Sequence, residues 1–226
     1  MKLRIIVSSL LFGAMLGAAP IEAGWGWKNL QPIVTQQTLD DIEETTLLFM
    51  REEEKRARDV YLQLFDLWNN RVFDNIAASE QRHMDAMKRL IDGYGLTDPV
   101  IDDTPGAFTD QTLGALHDEL VETGSQSLEA ALRVGALIEE IDILDLESAI
   151  AETDNDDIIQ AYQNLLRGSR NHLRAFVRQL ESLGVVYEAQ RMDQAELDAI
   201  VNSPMERGGR PGKGRGQGCR GMGCRF

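Results

Sequence analysis

The sequence predicts an all-α protein, a bundle of four long helices. Three observations carry this expectation. Four long segments repeat apolar side chains every three or four residues, no segment alternates apolar and polar residues with the period of a strand, and turn signals separate the segments. Each of the four also places at least one carboxylate or imidazole on its apolar stripe, near mid-length.

The ends of the 226-residue chain lie outside this pattern. Lys2 and Arg4 precede an apolar run, Ile5 to Ala19, that is too short for a bilayer span and ends near Ile21–Glu22–Ala23. This is the pattern of a secretory signal over residues 1–23 with cleavage before Gly24, so an exported protein, periplasmic or extracellular, is expected. No later stretch is long and apolar enough to cross a membrane. Residues 24–37, with Trp25 and Trp27, form an N-terminal arm before the bundle, which is expected over 38–204. Residues 24–204 hold 15 basic and 35 acidic side chains, a formal −20, whereas residues 205–226 carry +5. So acidic a body argues against nucleic-acid binding and suits solubility and the attraction of cations. The Gly/Arg-rich tail contains the only cysteines, Cys219 and Cys224. They pair as a small loop, bind a metal or partner, or belong to a solvated tail without fixed structure, and the last is the expected state.

The first helix is expected to start at Thr38 as N-cap, with Asp40 and Asp41 in its first turn, and to end at Asn69–Asn70. Its stripe is Leu39, Ile42, Leu47, Met50, Ala57, Tyr61, Leu64, Phe65 and Trp68. Glu53 and Glu54 sit near the two edges of that stripe, so at least one faces inward, while Arg51, Glu52, Lys55 and Asp59 point away. The second helix, Arg71 to Tyr94, gathers Phe73, Ile76, Met87, Ile91 and Tyr94 on one face together with Glu80 and His83. A buried carboxylate without a partner is costly, so Glu80 requires one. Gly93, Gly95 and Pro99 break this helix, and a crossover of about 30 residues follows, containing one short helix from Asp110 to Thr123. His117 in that short helix is expected at the surface.

The third helix runs from Ser127 to Glu152 on a stripe of Leu128, Ala131, Leu132, Gly135, Ala136, Ile143, Leu146 and Ile150. Glu139 falls at its centre, Asp142 on its flank and Glu140 on the wet side, although a rotation of about 40° would exchange the two glutamates. Thr153–Asp154–Asn155–Asp156 is a cap cluster, and the fourth helix continues to Leu183, before Gly184. Its stripe of Ile158, Tyr162, Leu165, Phe176, Leu180 and Leu183 includes Ser169 and His172, with Arg167, Arg170, Arg174 and Arg178 outside it. A last short helix spans Asp193 to Val201.

Antiparallel packing would bring Glu54 or Glu53, Glu80 with His83, Glu139 with Asp142, and His172 to one level of the bundle. Several buried carboxylates cannot all stay ionised there without a cation between them. A pair of divalent metals resolves this, and oxygen and imidazole ligands suit iron or manganese, with zinc as an alternative. The competing arrangement is a buried hydrogen-bonded network of Glu80, His83 and His172 with Arg58 or Tyr61. Four coincidences on four helices favour the metal.

The runs LLFMREEEKRARDVYLQL (47–64), FDNIAASEQRHMDAMKRLIDGYGLTDP (73–99), SLEAALRVGALIEEIDILDL (127–146) and NLLRGSRNHLRAF (164–176) resemble the bacterial and archaeal DUF2202 family, a ferritin-like group, over residues 38–202. The resemblance implies a ferritin-like four-helix bundle with a long crossover between the second and third helices. In the di-iron members of that superfamily, such as rubrerythrin and bacterioferritin, two helices each give a Glu and two each give Glu-x-x-His. Glu54, followed by Arg58 and Tyr61, is similar to the first-helix glutamate of rubrerythrin. Glu80 and His83 match the second-helix motif, and Glu139-x-x-Asp142 resembles the paired acids of the third. The fourth helix departs from the pattern, because Ser169 stands three residues before His172 where a glutamate belongs. Either Asp142 or Glu140 compensates, or the second metal is held weakly.

The expectation is therefore an exported ferritin-like protein with a non-haem, di-iron centre and oxidoreductase chemistry on oxygen or peroxide. No cysteine-rich iron domain is present to deliver electrons, so turnover would need an external reductant. The alternative is a non-catalytic metal-binding or sequestering protein, or a structural interaction protein with a degenerate site. Metal ions are the expected partners, a homodimer is compatible with the reading, and the basic tail would contact an anionic envelope component.

Overall fold

The computed structural model describes residues 38–208, and in these the chain forms six helices. They are α1 (Asp41–Trp68), α2 (Arg71–Tyr94), α3 (Gln111–Gly124), α4 (Leu128–Glu152), α5 (Asp156–Ser182) and α6 (Gln194–Asn202). The expected export signal, the arm with Trp25 and Trp27, and both cysteines lie outside the described residues. Among the described residues there is no strand, and no helix is long and apolar enough to cross a membrane.

Side-chain pairings fix the directions of the long helices. Glu54 meets His83 and Arg51 meets Asp98, so α1 and α2 run antiparallel. Glu43 bonds Asn155 while Tyr61 bonds Glu139, which sets α1 antiparallel to α4. Asn70 bonds Gln179 and Tyr94 bonds Asp157, which sets α2 antiparallel to α5. The four helices close a bundle, and α2 and α4 run parallel within it. The segment between them therefore travels the length of the bundle, carrying α3 across α1 and α4.

Local chemistry sets the helix ends. The N-cap of α1 is Asp40 rather than Thr38, because Asp40 accepts from the N–H groups of Ile42 and Glu43 while Glu43 accepts from the Asp40 N–H, a reciprocal capping box. Asn69 closes α1 in a left-handed conformation at φ 48°. The expected cap cluster before α5 works differently: Asn155 makes no side-chain cap bond and gives its amide to Glu43 at 2.7 Å. The start of α1 is thereby tied to the α4–α5 turn.

At one end of the core, the rings of Tyr61, Phe73 and Phe176 pack with centroids 5.2 to 6.4 Å apart. Gly135 admits Phe176, since a Cβ there would lie 2.4 Å from the ring. Full burial of each such side chain is worth roughly 1.5–3 kcal/mol.

The outer face of α1 overturns an expectation. Arg51, Glu52, Lys55 and Asp59 do not point to solvent but are buried under the crossover. Arg51 pairs with Asp98, and Lys55 donates to Asp59 at 2.6 Å and to the Thr104 carbonyl at 2.9 Å. Asp59 also accepts from the Gly106 N–H, and Glu52 accepts from the N–H groups of Thr109 and Asp110. Each charge meets a partner in the strap that covers it, which makes its burial tolerable. His117 is likewise buried rather than exposed, held between Gln63 and Asp118. Ile42, assigned to the stripe, is 54% exposed, although Leu39 before it packs on the core and Glu43 after it is buried. Arg174 lies outside the α5 stripe but is buried, donating to the Ile200 carbonyl, Ser203 and Glu206. Glu206 also clasps Arg170, so the start of the tail is docked on α5 through at least this residue.

Candidate metal centre

Two pairs of adjacent glutamates that the wheel left open are sorted by their neighbours. Glu53 and Glu54 are both buried, but Glu53 turns toward Arg56 at 2.9 Å whereas Glu54 turns toward His83. On α4, Glu139 faces the bundle axis and Glu140, although fully buried, faces the α5–α6 loop. Glu140 accepts from the Tyr187 hydroxyl and from the N–H groups of Gln190, Arg191 and Met192. It anchors that loop and takes no part in the centre. The wheel set it on the wet side because nothing in the local pattern shows that a distant loop returns to cover it.

At mid-length, Glu54, Glu80 and His83 offer one set of ligand atoms, and Glu80, Glu139 and His172 offer a second, each set within 4.8 Å. Glu80 belongs to both. Its Oε2 lies 2.7 Å from His83 Nδ1 and its Oε1 lies 2.8 Å from His172 Nδ1. Glu54 Oε2 is 3.2 Å from His83 Nδ1, and Glu139 Oε2 is 3.4 Å from His172 Nδ1. The two imidazole rings stack with centroids 5.6 Å apart. The Tyr61 hydroxyl donates to Glu139 at 2.6 Å, and Ser169 donates to Asp142. Asp142 is held beside the two sets rather than within them. Arg58 turns away to Asp59, Asp103 and Gln81, so of the two polar-network partners considered only Tyr61 reaches the centre.

The electrostatics show the cost of this arrangement. Burial pushes Glu54 up to about 8 despite His83 nearby, and raises Glu139 and Asp142 as well. Burial acts on Glu80 in the same direction, but His172 and His83 outweigh it and hold Glu80 below the usual carboxylate range. Burial works to lower the histidines, yet Glu80 and Glu139 push His172 up to about 10, and Glu54 and Glu80 push His83 well above its ordinary value. The carboxylates thus favour positive charge at this level of the bundle.

Hydrogen bonds leave the centre incompletely satisfied. Glu54 Oε1, Glu80 Oε1, Asp142 Oδ1 and His172 Nδ1 are buried without a hydrogen-bond partner. Glu80 Oε1 and His172 Nδ1 lie 2.8 Å apart as an ion pair. Orphaned buried polar atoms are expensive, whereas a cation between them needs no donor alignment, so the residues present fit a metal. The donor set, carboxylate and imidazole without thiolate, suits iron, manganese or zinc.

One residue of the centre carries no chemistry of its own and was not singled out in the sequence. Gly168 packs against His83, and a Cβ there would stand 2.6 Å from both Cε1 and Nε2 of that ring. The signal was present in the run RGSRNH, where a glycine interrupts a helix one residue before Ser169.

The protein-family description that matches is "Uncharacterized protein domain (DUF2202)", over residues 43–204. An uncharacterised protein of Methanocaldococcus jannaschii, MJ0754, is 49% identical over 173 residues, covering 76% of this chain and 94% of its own length. The crystal structure of hypothetical protein MJ0754 superimposes with a TM-score of 0.75 at 48% identity, covering 76% of this chain and 98% of that one. A family match over most of the length and a relative this similar place the chain in the DUF2202 family.

Proposed function

We propose that this protein holds two divalent cations, iron foremost, at the level of Glu80, and that it uses them in redox chemistry on oxygen or peroxide. The observation that carries the reading is the pair of buried ligand sets sharing Glu80, with lone pairs that no hydrogen bond satisfies. Glu54, Glu80 and His83 would hold one ion, Glu80, Glu139 and His172 the other, and the resemblance of Glu54 and of Glu80-x-x-His83 to di-iron ligand motifs supports that assignment. When bound, such a pair supplies electrons to an oxygen species. The chain's own residues do the positioning: Tyr61 orients Glu139, Ser169 restrains Asp142, and the bundle core keeps the ligands dry. The imidazoles of His83 and His172 are each about one-tenth exposed, so the approach to the centre lies between α2 and α5. An N-terminal export signal would put this chemistry outside the cytoplasm.

Ser169 favours a second reading of the same site, a metal-binding protein without turnover. In the di-iron pattern a carboxylate would stand at its position, three residues before His172, so without one the second ion would be held the more weakly. Metal analysis of the full chain, purified without chelator and loaded with iron(II) or manganese(II) without oxygen, tests both. The expected result is up to two ions per chain, one or none in His83→Ala, and firmer retention of the second ion in Ser169→Glu. A Ser169→Glu protein that is destabilised and gains no metal, beside a wild type that retains none, would overturn the proposal. Oxygen consumption by the loaded protein with an added reductant separates the redox reading from simple binding.

A further inference from the structure

A groove of about 270 Å³ runs between α2 and α5. Ala86, Leu90, Ala161 and Leu165 give it an apolar floor, and with alanines at two of these positions no large side chain fills the space. Helical spacing sets it in line with the approach to the candidate centre, since Ala86 stands one turn from His83 and Leu165 one turn from Gly168. The volume lies just below the range of drug-sized sites, so it suits a smaller molecule.

Two charged residues line the groove, Arg89 from α2 and Asp157 from α5, and they do not pair with each other. Asp157 accepts the Tyr94 hydroxyl at 2.7 Å and the Ile158 N–H at 2.9 Å, both at Oδ1, which leaves Oδ2 open. Arg89 is exposed, and among the described residues its guanidinium has no partner. Asp157 is held at the level of Tyr94, five residues beyond Arg89, so the acid and the cation stand about 7.5 Å apart along α2. The remaining polar lining, Gln160 and Asn164, is neutral. A simple carboxylate would meet Arg89 and be repelled by Asp157, and a simple amine the reverse. A molecule that carries both charges at this spacing answers each of them.

We infer that the groove binds a small ω-amino carboxylate, its carboxylate on Arg89, its ammonium on Asp157 and its methylene chain along the apolar floor. The inference stands apart from the metal: Arg89 and Asp157 belong to neither ligand set, and the groove should fill equally well in protein treated with chelator.

NMR titration of the full chain with 6-aminohexanoate, hexanoate and hexylamine, with and without EDTA, tests the assignment. Exposed charges make weak contacts, so saturable binding of 6-aminohexanoate in the millimolar range is expected, about fivefold tighter than either singly charged analogue. The preference should shrink as salt is added. Arg89→Gln should reduce 6-aminohexanoate to the affinity of hexylamine, and Asp157→Asn to that of hexanoate, and both changes lie at exposed positions that the fold does not depend on. Ala161→Trp should fill the groove and abolish binding. Equal affinity for all three compounds, or a preference for either singly charged one, would overturn the ligand class. Saturable binding of none of them would overturn the site, as would binding that survives in an Ala161→Trp protein of unchanged helix content.

Discussion

Single residues decide which of two adjacent glutamates does what. On α4 the separation is complete: Glu139 takes the Tyr61 hydroxyl at the bundle axis, and Glu140 takes one hydroxyl and three backbone N–H groups from a loop some 50 residues later in the chain. Hydrogen bonds to a charged acceptor are worth roughly 1.5–3 kcal/mol, so Glu140→Gln should cost about 2–3 kcal/mol of unfolding free energy in denaturant titration while leaving bound metal unchanged. Gly168→Ala should act mainly on the metal. The added methyl would drive into His83, so metal content should fall by half or more, and the metal-free protein should lose about 1 kcal/mol as the ring moves aside. These two variants separate stability from ligation. The inward facing of Glu80, His83 and His172 could be read from periodicity, because helical spacing alone assigns them to a face, whereas Glu54 could not be told from Glu53. The role of Glu140 could not be read either, since its partners lie on a return loop that no local pattern announces.

At the scale of elements, the long helices and their breaks were legible because capping residues, glycines and apolar stripes agree with one another at nearly every boundary. The outer face of α1 was not. A helical wheel assumes one buried side, and α1 has two, the second covered by the crossover and α3. The spacing did hold a local hint, as Lys55 with Asp59 and Glu53 with Arg56 are intrahelical pairs of the kind a buried face needs. The docked start of the tail was also missed, because composition suggested solvated chain from Met205. Glu206 accepts from Arg170, the largest influence on its carboxyl, and from Arg174, and these hold it at about 2. A carboxyl lowered in the folded state stabilises above its unfolded range near 4.5, and that contribution is lost as pH falls from there through about 2. Wild type and Glu206→Gln should therefore differ in stability at neutral pH and converge by pH 2. Truncation after Gly208 should leave the melting temperature unchanged, whereas truncation after Pro204 should lower it. Thermal unfolding across that pH range checks both statements.

Across the whole molecule, the order in which the chain visits its ligands matters as much as their distances. Glu54, Glu80 and His83 all come before the crossover, whereas Glu139 and His172 come after it and share Glu80 with the earlier group. One proposed ion would thus be gripped by a single contiguous stretch of chain, and the other only by two stretches meeting. The second ion would serve as a rivet across a seam. A single cut beside Ile101, 85% exposed in the middle of the strap, would leave two polypeptides joined by core packing, the strap's remaining ion pairs and that rivet. Such a nicked protein should come apart at lower denaturant after chelation than when loaded, and by a wider margin than the intact chain shows. Equal margins would mean that the metal holds its ligands but does not hold the molecule together.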